Sequence, residues 1–164
     1  MPVTDVTKDL DALTMTITAE FDADAEQVWE MWSDPRRLER WWGPPGYPAT
    51  FVDHDLSPGA RTAYFMTSPE GQKHHGWWRI EEVDPPRSLR FEDGFADDDG
   101  KPSDGMPTGI ATVTITEADG ATTMSIESRF ASREGMEQTL EMGMEQGMIE
   151  ALGQIDPLLA GERA

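Results

Sequence analysis

The hydrophobic pattern changes its period along the chain, and the order of the periods restricts the fold more than any other feature. From Leu13 to Phe21, apolar residues occupy every second position, which is typical of a strand with one buried face. The period of two returns after residue 48, and we predict further strands at 49–56, 61–67, 76–83, 88–92, 110–117 and 122–130. Because these strands do not alternate with helices, the order favours one antiparallel sheet over a parallel one.

Two short helices are predicted between the first strand and the second. Asp24 stands three residues before Gln27, as in a capping box, and Asp34 stands directly before Pro35, a residue favoured at the first helical position. Gly and Pro at 43–46 end the second helix.

One long amphipathic helix is predicted at the C-terminal end, capped by Ser132 and running from Arg133 to about Ala160. Its apolar stripe has three- and four-residue steps and consists of Leu140, Met144, Met148, Ala151 and Ile155, with Gly143 and Gly147 on the same side. Met142 and Ile149 fall off the stripe, which leaves a weak homodimer contact and packing against the first helices as alternatives.

Together these elements predict an α+β fold, with a curved antiparallel sheet of about seven strands around a long C-terminal helix. At 164 residues the chain fits one domain, 1–164, with an ordered core at about 13–160.

The charge balance restricts the partners. Against 13 Lys and Arg the chain has 32 Asp and Glu, a net charge of −19, which disfavours nucleic acid and anionic membrane surfaces. The absence of Cys excludes disulfides and thiolate metal sites. Neither an apolar leader at the N-terminus nor a membrane-length apolar run occurs, so a cytoplasmic protein is expected.

Several motifs occur in the order found in one known superfamily. They lie at 25–29, 32–35, 38–44, 55–59 and 76–86 and in the helix segment Gly143-Met144-x-x-Gly147-Met148. With them the chain resembles, over about residues 13–160, the START-like or SRPBCC superfamily, specifically the branch named for the activator of the heat-shock-protein-90 ATPase. The resemblance implies a helix-grip fold with a cavity between sheet and helix. It also implies an apolar ligand, since many members bind lipids, polyketides or hormones.

A hydrophobic cavity is therefore the first candidate site. The predicted ligand-binding residues are apolar or aromatic positions on the strands and the last helix: Trp42, Phe51, Tyr64, Met66, Trp78, Phe91, Phe95, Met136, Leu140, Met144 and Met148. Methionine adapts to ligands of irregular shape, which suits such a wall. The alternative is that these side chains simply fill a core.

Trp41 and Trp42 are interpreted mainly as a structural seal, with one ring turned inward and the other covering a rim.

Polar candidates are weaker. His74 and His75, with Asp53, His54 and Asp55, lack the spacing of a metal site, so exposed His and no metal are predicted. Potential acid–base groups are Tyr64, His75, Arg79, Glu81, Glu92 and Asp93, although Arg79 and Glu81 share a strand face and can pair. The long segment 93–109, with Phe95 and Met106 as apolar anchors, is either a lid or a surface loop.

The sequence thus predicts a protein that binds a small hydrophobic molecule, uses no cofactor and is a binding protein rather than an enzyme. A polyketide cyclase or aromatase-like enzyme is the alternative, and it requires at least two titratable side chains converging in the cavity. A chaperone partner is a further alternative, implied only by the name of the branch.

Overall fold

The computed structural model describes residues 3–43, 45–97, 101, 103 and 108–163. Its strands are β1 (Val3–Asp9), β2 (Thr14–Phe21), β3 (Ala49–Asp53), β4 (Arg61–Thr67), β5 (Lys73–Asp84), β6 (Ser88–Phe95), β7 (Gly109–Ala118) and β8 (Ala121–Phe130). Its helices are α1 (Ala25–Ser33), α2 (Pro35–Trp41), α3 (Arg133–Glu141), α4 (Met144–Leu152) and α5 (Ile155–Arg163).

All the strands form one curved antiparallel sheet in the order β1-β2-β8-β7-β6-β5-β4-β3. This confirms the predicted α+β helix-grip fold, with eight strands where about seven were expected. The additional strand is β1, which pairs only with β2 at one edge of the sheet. Five of its seven residues are exposed, so it lacks the alternation that reveals a half-buried strand.

The predicted helix starts are confirmed in atomic detail. The Asp24 carboxylate accepts a hydrogen bond from the Gln27 backbone N–H at 2.8 Å, and the Gln27 side chain accepts one from the Asp24 N–H at 3.1 Å. Asp34 accepts from the Arg36 N–H at 2.9 Å, and Ser132 accepts from the Gly135 N–H at 2.9 Å. These bonds satisfy N–H groups that have no partner inside the helix.

The C-terminal helix differs from the single long helix that was expected. It consists of three helices in succession, because Gly143 adopts a left-handed φ of +87° and ends α3 before α4 begins. The second interruption, at residues 153–154, places Gln154 where its side-chain N–H donates to the Gly43 carbonyl at 2.6 Å. The apolar stripe continues across both breaks, so periodicity alone could not reveal them.

The core lies between the concave face of the sheet and the helices, and one end of it is aromatic. We call this part the aromatic cluster: Trp32, Trp41, Trp42, Phe51, Tyr64, Trp78 and Phe91, all buried. Trp78 stacks on Phe91 with centroids 4.2 Å apart, and Trp42 meets Trp78 edge to face at 4.9 Å. Both Trp41 and Trp42 are buried, so the expectation that one of them covers a rim was wrong.

Among the described residues, no helix is long and apolar enough to cross a bilayer.

Candidate functional site

A cavity of about 330 Å³ lies beside the aromatic cluster, between the sheet and the helices α3 and α4. Strands β4 to β8 contribute one wall: Tyr64, Met66, His74, His75, Gly76, Asp93, Gly94, Phe95, Gly109, Ile110, Ala111, Ser128 and Phe130. The opposite wall consists of Thr139, Met142, Gly143 and Met144, and Thr108 precedes β7 at the border. Met142 is 53% exposed, so the cavity reaches solvent near the end of α3.

The predicted lining residues divide into two groups. Tyr64, Met66, Phe95 and Met144 line the cavity. The other predicted residues lie in or against the packed core: Trp42, Phe51, Trp78, Phe91 and Met136 are buried in it, whereas Leu140 and Met148 are half-buried against it. Large aromatic rings pack efficiently against one another, which explains why they fill space instead of bordering it.

Sequence reasoning missed part of the wall. Phe130 and Ser128 alternate with exposed or half-exposed residues along β8, a signal that places them on the inner face. Thr139 and Met142 lie outside the apolar stripe of the helix, and Met142 stands directly before the break at Gly143. No periodic signal identifies such a break.

A polar pair lies at the inner end of the cavity. The Tyr64 hydroxyl on β4 donates a hydrogen bond to a carboxylate oxygen of Asp93 on β6, over 3.2 Å. The intervening strand β5 presents Gly76 opposite Tyr64. A Cβ at residue 76 would lie 2.5 Å from Tyr64 Cζ and Oη, so the bare glycine is what lets the tyrosine ring cross β5 to reach Asp93.

Burial changes the acid–base properties of both members of the pair. Removal from water disfavours the charged form of each group, so burial raises the pKa of Asp93 to about 7 and the pKa of Tyr64 well above its ordinary value. The hydrogen bond from Tyr64 opposes the shift at Asp93 but is the smaller effect. Asp93 therefore exchanges its proton near neutral pH, inside a mostly apolar cavity.

Two indole N–H groups lie beside this pair without an acceptor. Trp42 Nε1 and Trp78 Nε1 are buried, and neither forms a hydrogen bond with any described residue. Both are near enough to the Tyr64 hydroxyl to act on its pKa, in the lowering direction. Buried polar groups without partners are uncommon in native proteins, and these two lie in the packed core next to the cavity and not in its wall.

The histidines do not form a metal site in the described part of the chain, where no three His, Asp or Glu side chains are grouped to hold an ion. His74 and His75 both border the cavity, although the His75 ring also packs against Phe65 with centroids 5.5 Å apart. His74 is exposed as expected, whereas His75 is half-buried. His54 is also half-buried, and its Nε2 lies 2.8 Å from the Trp32 carbonyl oxygen. Burial lowers the pKa of His54.

Most of the other acid–base candidates lie outside the cavity. Arg79 forms ion pairs with Glu81 at 3.4 Å and with Glu92 at 3.3 Å, and the arginine side chain is 53% exposed. The predicted pairing of Arg79 and Glu81 is thus confirmed. Of the six candidates, Tyr64, His75 and Asp93 border the cavity.

The predicted loop 93–109 begins later than expected, because β6 continues through Phe95. Phe95 lines the cavity, and its carbonyl oxygen accepts a hydrogen bond from the Ser103 N–H at 2.8 Å. Met106 and most of the segment between Phe95 and Met106 lie outside the described residues. The predicted lid falls on that segment.

The model of one protein family matches most of this chain. The model of the activator of Hsp90 ATPase homolog 1-like protein matches residues 22–160, which include most of the sheet and the helices that border the cavity. The chain belongs to this family. No curated protein gives a significant match to the chain.

Solved structures of similar chains share the whole fold of this family member. The crystal structure of protein Ms6760 from Mycobacterium smegmatis is 51% identical, with a TM-score of 0.89, and the match covers 96% of this chain and 97% of that one. A solution structure of a protein from Arthrobacter aurescens is 49% identical, with a TM-score of 0.93 and coverage of 97% and 92%. A crystal structure from Silicibacter pomeroyi, at 25% identity, covers 91% of this chain and 99% of its own, with a TM-score of 0.72.

Proposed function

We propose that this member of the family binds a small hydrophobic molecule in the cavity between the sheet and α3 and α4. The observation that carries the proposal is the cavity itself: its volume of about 330 Å³ lies within the range of small-molecule sites, and apolar side chains dominate its wall. Phe95, Phe130 and Met144 offer apolar surface that a ligand would cover. Transfer of such surface out of water favours binding.

The proposal is tested by filling the cavity from the helix side. Thr139 borders the cavity on α3, so Thr139→Trp places an indole in the space that the ligand would occupy. The neutral fluorescent probe N-phenyl-1-naphthylamine should bind the wild-type protein saturably and bind the variant at least about tenfold more weakly, since its site is filled. A neutral probe avoids repulsion by the net charge of −19.

The matched control is Gln138→Trp, which adds the same ring one residue earlier on the same helix. Gln138 is exposed and does not border the cavity, so this variant should bind the probe like the wild type. If the probe binds equally to all three proteins, or to none, the cavity is not its site and the proposal fails.

A second candidate function is proton transfer on a carbonyl compound, as in cyclases and isomerases. The observation that favours it is the convergence of two titratable side chains, Tyr64 and Asp93, within hydrogen-bond distance inside the cavity. A pKa of about 7 suits Asp93 to take a proton from the carbon next to a carbonyl and to return it.

Hydrogen–deuterium exchange tests this second function. In D₂O, the wild-type protein should accelerate deuterium uptake at the methyl group of 2-acetylnaphthalene, as followed by proton NMR. Asp93→Asn should reduce the rate to that of buffer, because an amide does not accept the proton. Equal rates with the wild-type protein and with buffer would leave binding as the function.

A further inference from the structure

Three hydrogen-bond donors lie close to the Tyr64–Asp93 pair, and two of them have no acceptor in the described part of the chain. The Tyr64 hydroxyl already donates to Asp93, and the indole N–H groups of Trp42 and Trp78 have no acceptor among the described residues. Trp78 is completely buried and stands directly opposite Asp93 in the β5–β6 register. The acceptors near these N–H groups are the Tyr64 hydroxyl oxygen and the Asp93 carboxyl group, which already share one hydrogen bond.

Of this arrangement, Asp93 and Tyr64 border the cavity, whereas the two indoles do not. One oxygen of Asp93 accepts the hydrogen bond from Tyr64, which fixes the orientation of the carboxyl group. The Gly94 backbone N–H and the Trp78 indole N–H lie near the carboxyl group and favour its charged form, although the indole is not in hydrogen-bond geometry with any described residue. A neutral carboxylic acid held in this way has one O–H to donate, and a ligand in the cavity is the natural recipient.

We infer that the ligand carries a carbonyl oxygen, and that the neutral Asp93 carboxylic acid, positioned by Tyr64, donates a hydrogen bond to it. The inference rests on the proposed binding function and specifies the class of ligand: a mostly hydrophobic molecule with one neutral acceptor at the end that enters first. A carbonyl oxygen accepts a hydrogen bond without bringing a donor of its own, whereas a hydroxyl group would bring a further donor. The Tyr64 hydroxyl keeps its bond to Asp93 throughout, so Tyr64 is a positioning residue.

Binding of such a ligand depends on pH, because only the protonated form of Asp93 donates. Burial raises the pKa of Asp93 to about 7, so the donating form prevails below neutral pH and the charged form above it. The other titratable groups that border the cavity lie on the same wall as Asp93: Tyr64 on β4, and His74 and His75 on β5. The helix wall contributes no charge there, since its residues are Thr139, Met142, Gly143 and Met144.

Three probes of one shape separate the alternatives. They are 2-acetylnaphthalene, which has a carbonyl; 2-isopropenylnaphthalene, a hydrocarbon of the same outline; and 2-(1-hydroxyethyl)naphthalene, an alcohol. Dissociation constants are measured by titration calorimetry at pH 5.5 and pH 8.5 with the wild-type protein. The ketone should bind up to about tenfold more tightly than the hydrocarbon at pH 5.5, and the advantage should shrink at pH 8.5.

Variants assign the effect to Asp93. Asp93→Asn keeps a donor that does not titrate, so it should retain the preference for the ketone at both pH values. Asp93→Leu removes the donor and should abolish the preference, while a double variant of His74→Gln and His75→Gln should keep both the preference and its dependence on pH. Thermal unfolding of each variant establishes that the fold is intact.

The outcomes separate this inference from the proposed function. Equal binding of ketone and hydrocarbon at pH 5.5 would overturn the carbonyl assignment but leave hydrophobic binding intact. Tightest binding of the alcohol at pH 8.5 would also overturn it, because the charged carboxylate would then accept a hydrogen bond from the ligand. Failure of all three probes, together with that of N-phenyl-1-naphthylamine, would remove the proposed function itself.

Discussion

At the scale of single residues, the site depends on a glycine within a strand. Gly76 has no side chain to occupy the inner face of β5, and the Tyr64 ring fills that position on its way to Asp93. A glycine inside a strand weakens the strand, so its presence marks a place where another group approaches closely. The residue that positions the polar pair is thus one that has no functional group of its own.

Gly76→Ala should destabilise the protein by about 1–3 kcal/mol, because the new Cβ would lie 2.5 Å from the tyrosine ring and force it to move. Urea unfolding measures the change. The control is the same substitution in a Tyr64→Ala background, where the clash is absent and an alanine in the strand should cost little. Equal costs in both backgrounds would show that the ring is not what the glycine accommodates.

Asp93 should also make stability depend on pH. Its folded pKa of about 7 lies above the unfolded value of about 4, so its favourable contribution is complete below pH 4 and is lost as the pH rises to 7. The Asp93→Asn variant does not lose stability in this way, because asparagine does not titrate. From pH 5 to pH 8, its free energy of unfolding should therefore rise relative to the wild type by on the order of 2 kcal/mol, a figure reduced for the partial exposure of Asp93 to the cavity.

His54 contributes with the opposite sign. Its lowered pKa gives stability that is present above about pH 6.5 and is lost as the pH falls. Because wild type and Asp93→Asn share His54, the difference between their unfolding curves isolates Asp93. A difference that stays constant from pH 5 to pH 8 would contradict the account of Asp93.

At the scale of elements, the C-terminal helices owe their course to Gly143. Its φ of +87° is accessible to glycine at little cost and ends α3 one turn beyond Thr139. The break allows Met142 and Met144 both to border the cavity, although an unbroken helix would separate two such positions by about 200° around its axis.

Gly143 and Gly147 should therefore respond in opposite ways to substitution by alanine. Gly143→Ala should destabilise the protein by about 1 kcal/mol, since alanine is strained at a left-handed φ. Gly147→Ala lies inside α4, where the new Cβ would meet nothing within 4 Å beyond the backbone of its own helix, and should stabilise the protein by about 0.5–1 kcal/mol. Chemical denaturation of both variants checks the pair, and a gain at residue 143 would show that the break is not required.

Sequence pattern predicted the elements better than the site. Alternation identified seven strands, and the caps at Asp24, Asp34 and Ser132 are confirmed, because these signals are local. The pairing of Tyr64 with Asp93 joins residues 29 apart and depends on the strand register, which no local signal gives. Asp93 follows Leu89 and Phe91 on the inner face of β6, and together with Gly76 this was the available hint.

At the scale of the whole molecule, the core is packed with aromatic rings at one end and leaves a cavity at the other. Four predicted wall residues, Trp42, Phe51, Trp78 and Phe91, belong to the packed end. The empty end is bordered mainly by apolar side chains, with the Tyr64–Asp93 pair and two histidines among its polar groups. The exposed large apolar residues of the described chain are Leu10, Tyr47, Val52 and Met142, and Met142 is the one that borders the cavity.

Binding in the cavity can be observed by NMR of the ten methionine methyl groups. On titration with N-phenyl-1-naphthylamine, the methyl resonances of Met66, Met142 and Met144, which border the cavity, should shift and saturate together. The buried methyl groups of Met15 and Met31 serve as internal controls and should shift little. Saturable shifts confined to the three cavity methionines are the predicted result. Shifts at none of them, or at methionines remote from the cavity instead, would contradict the account.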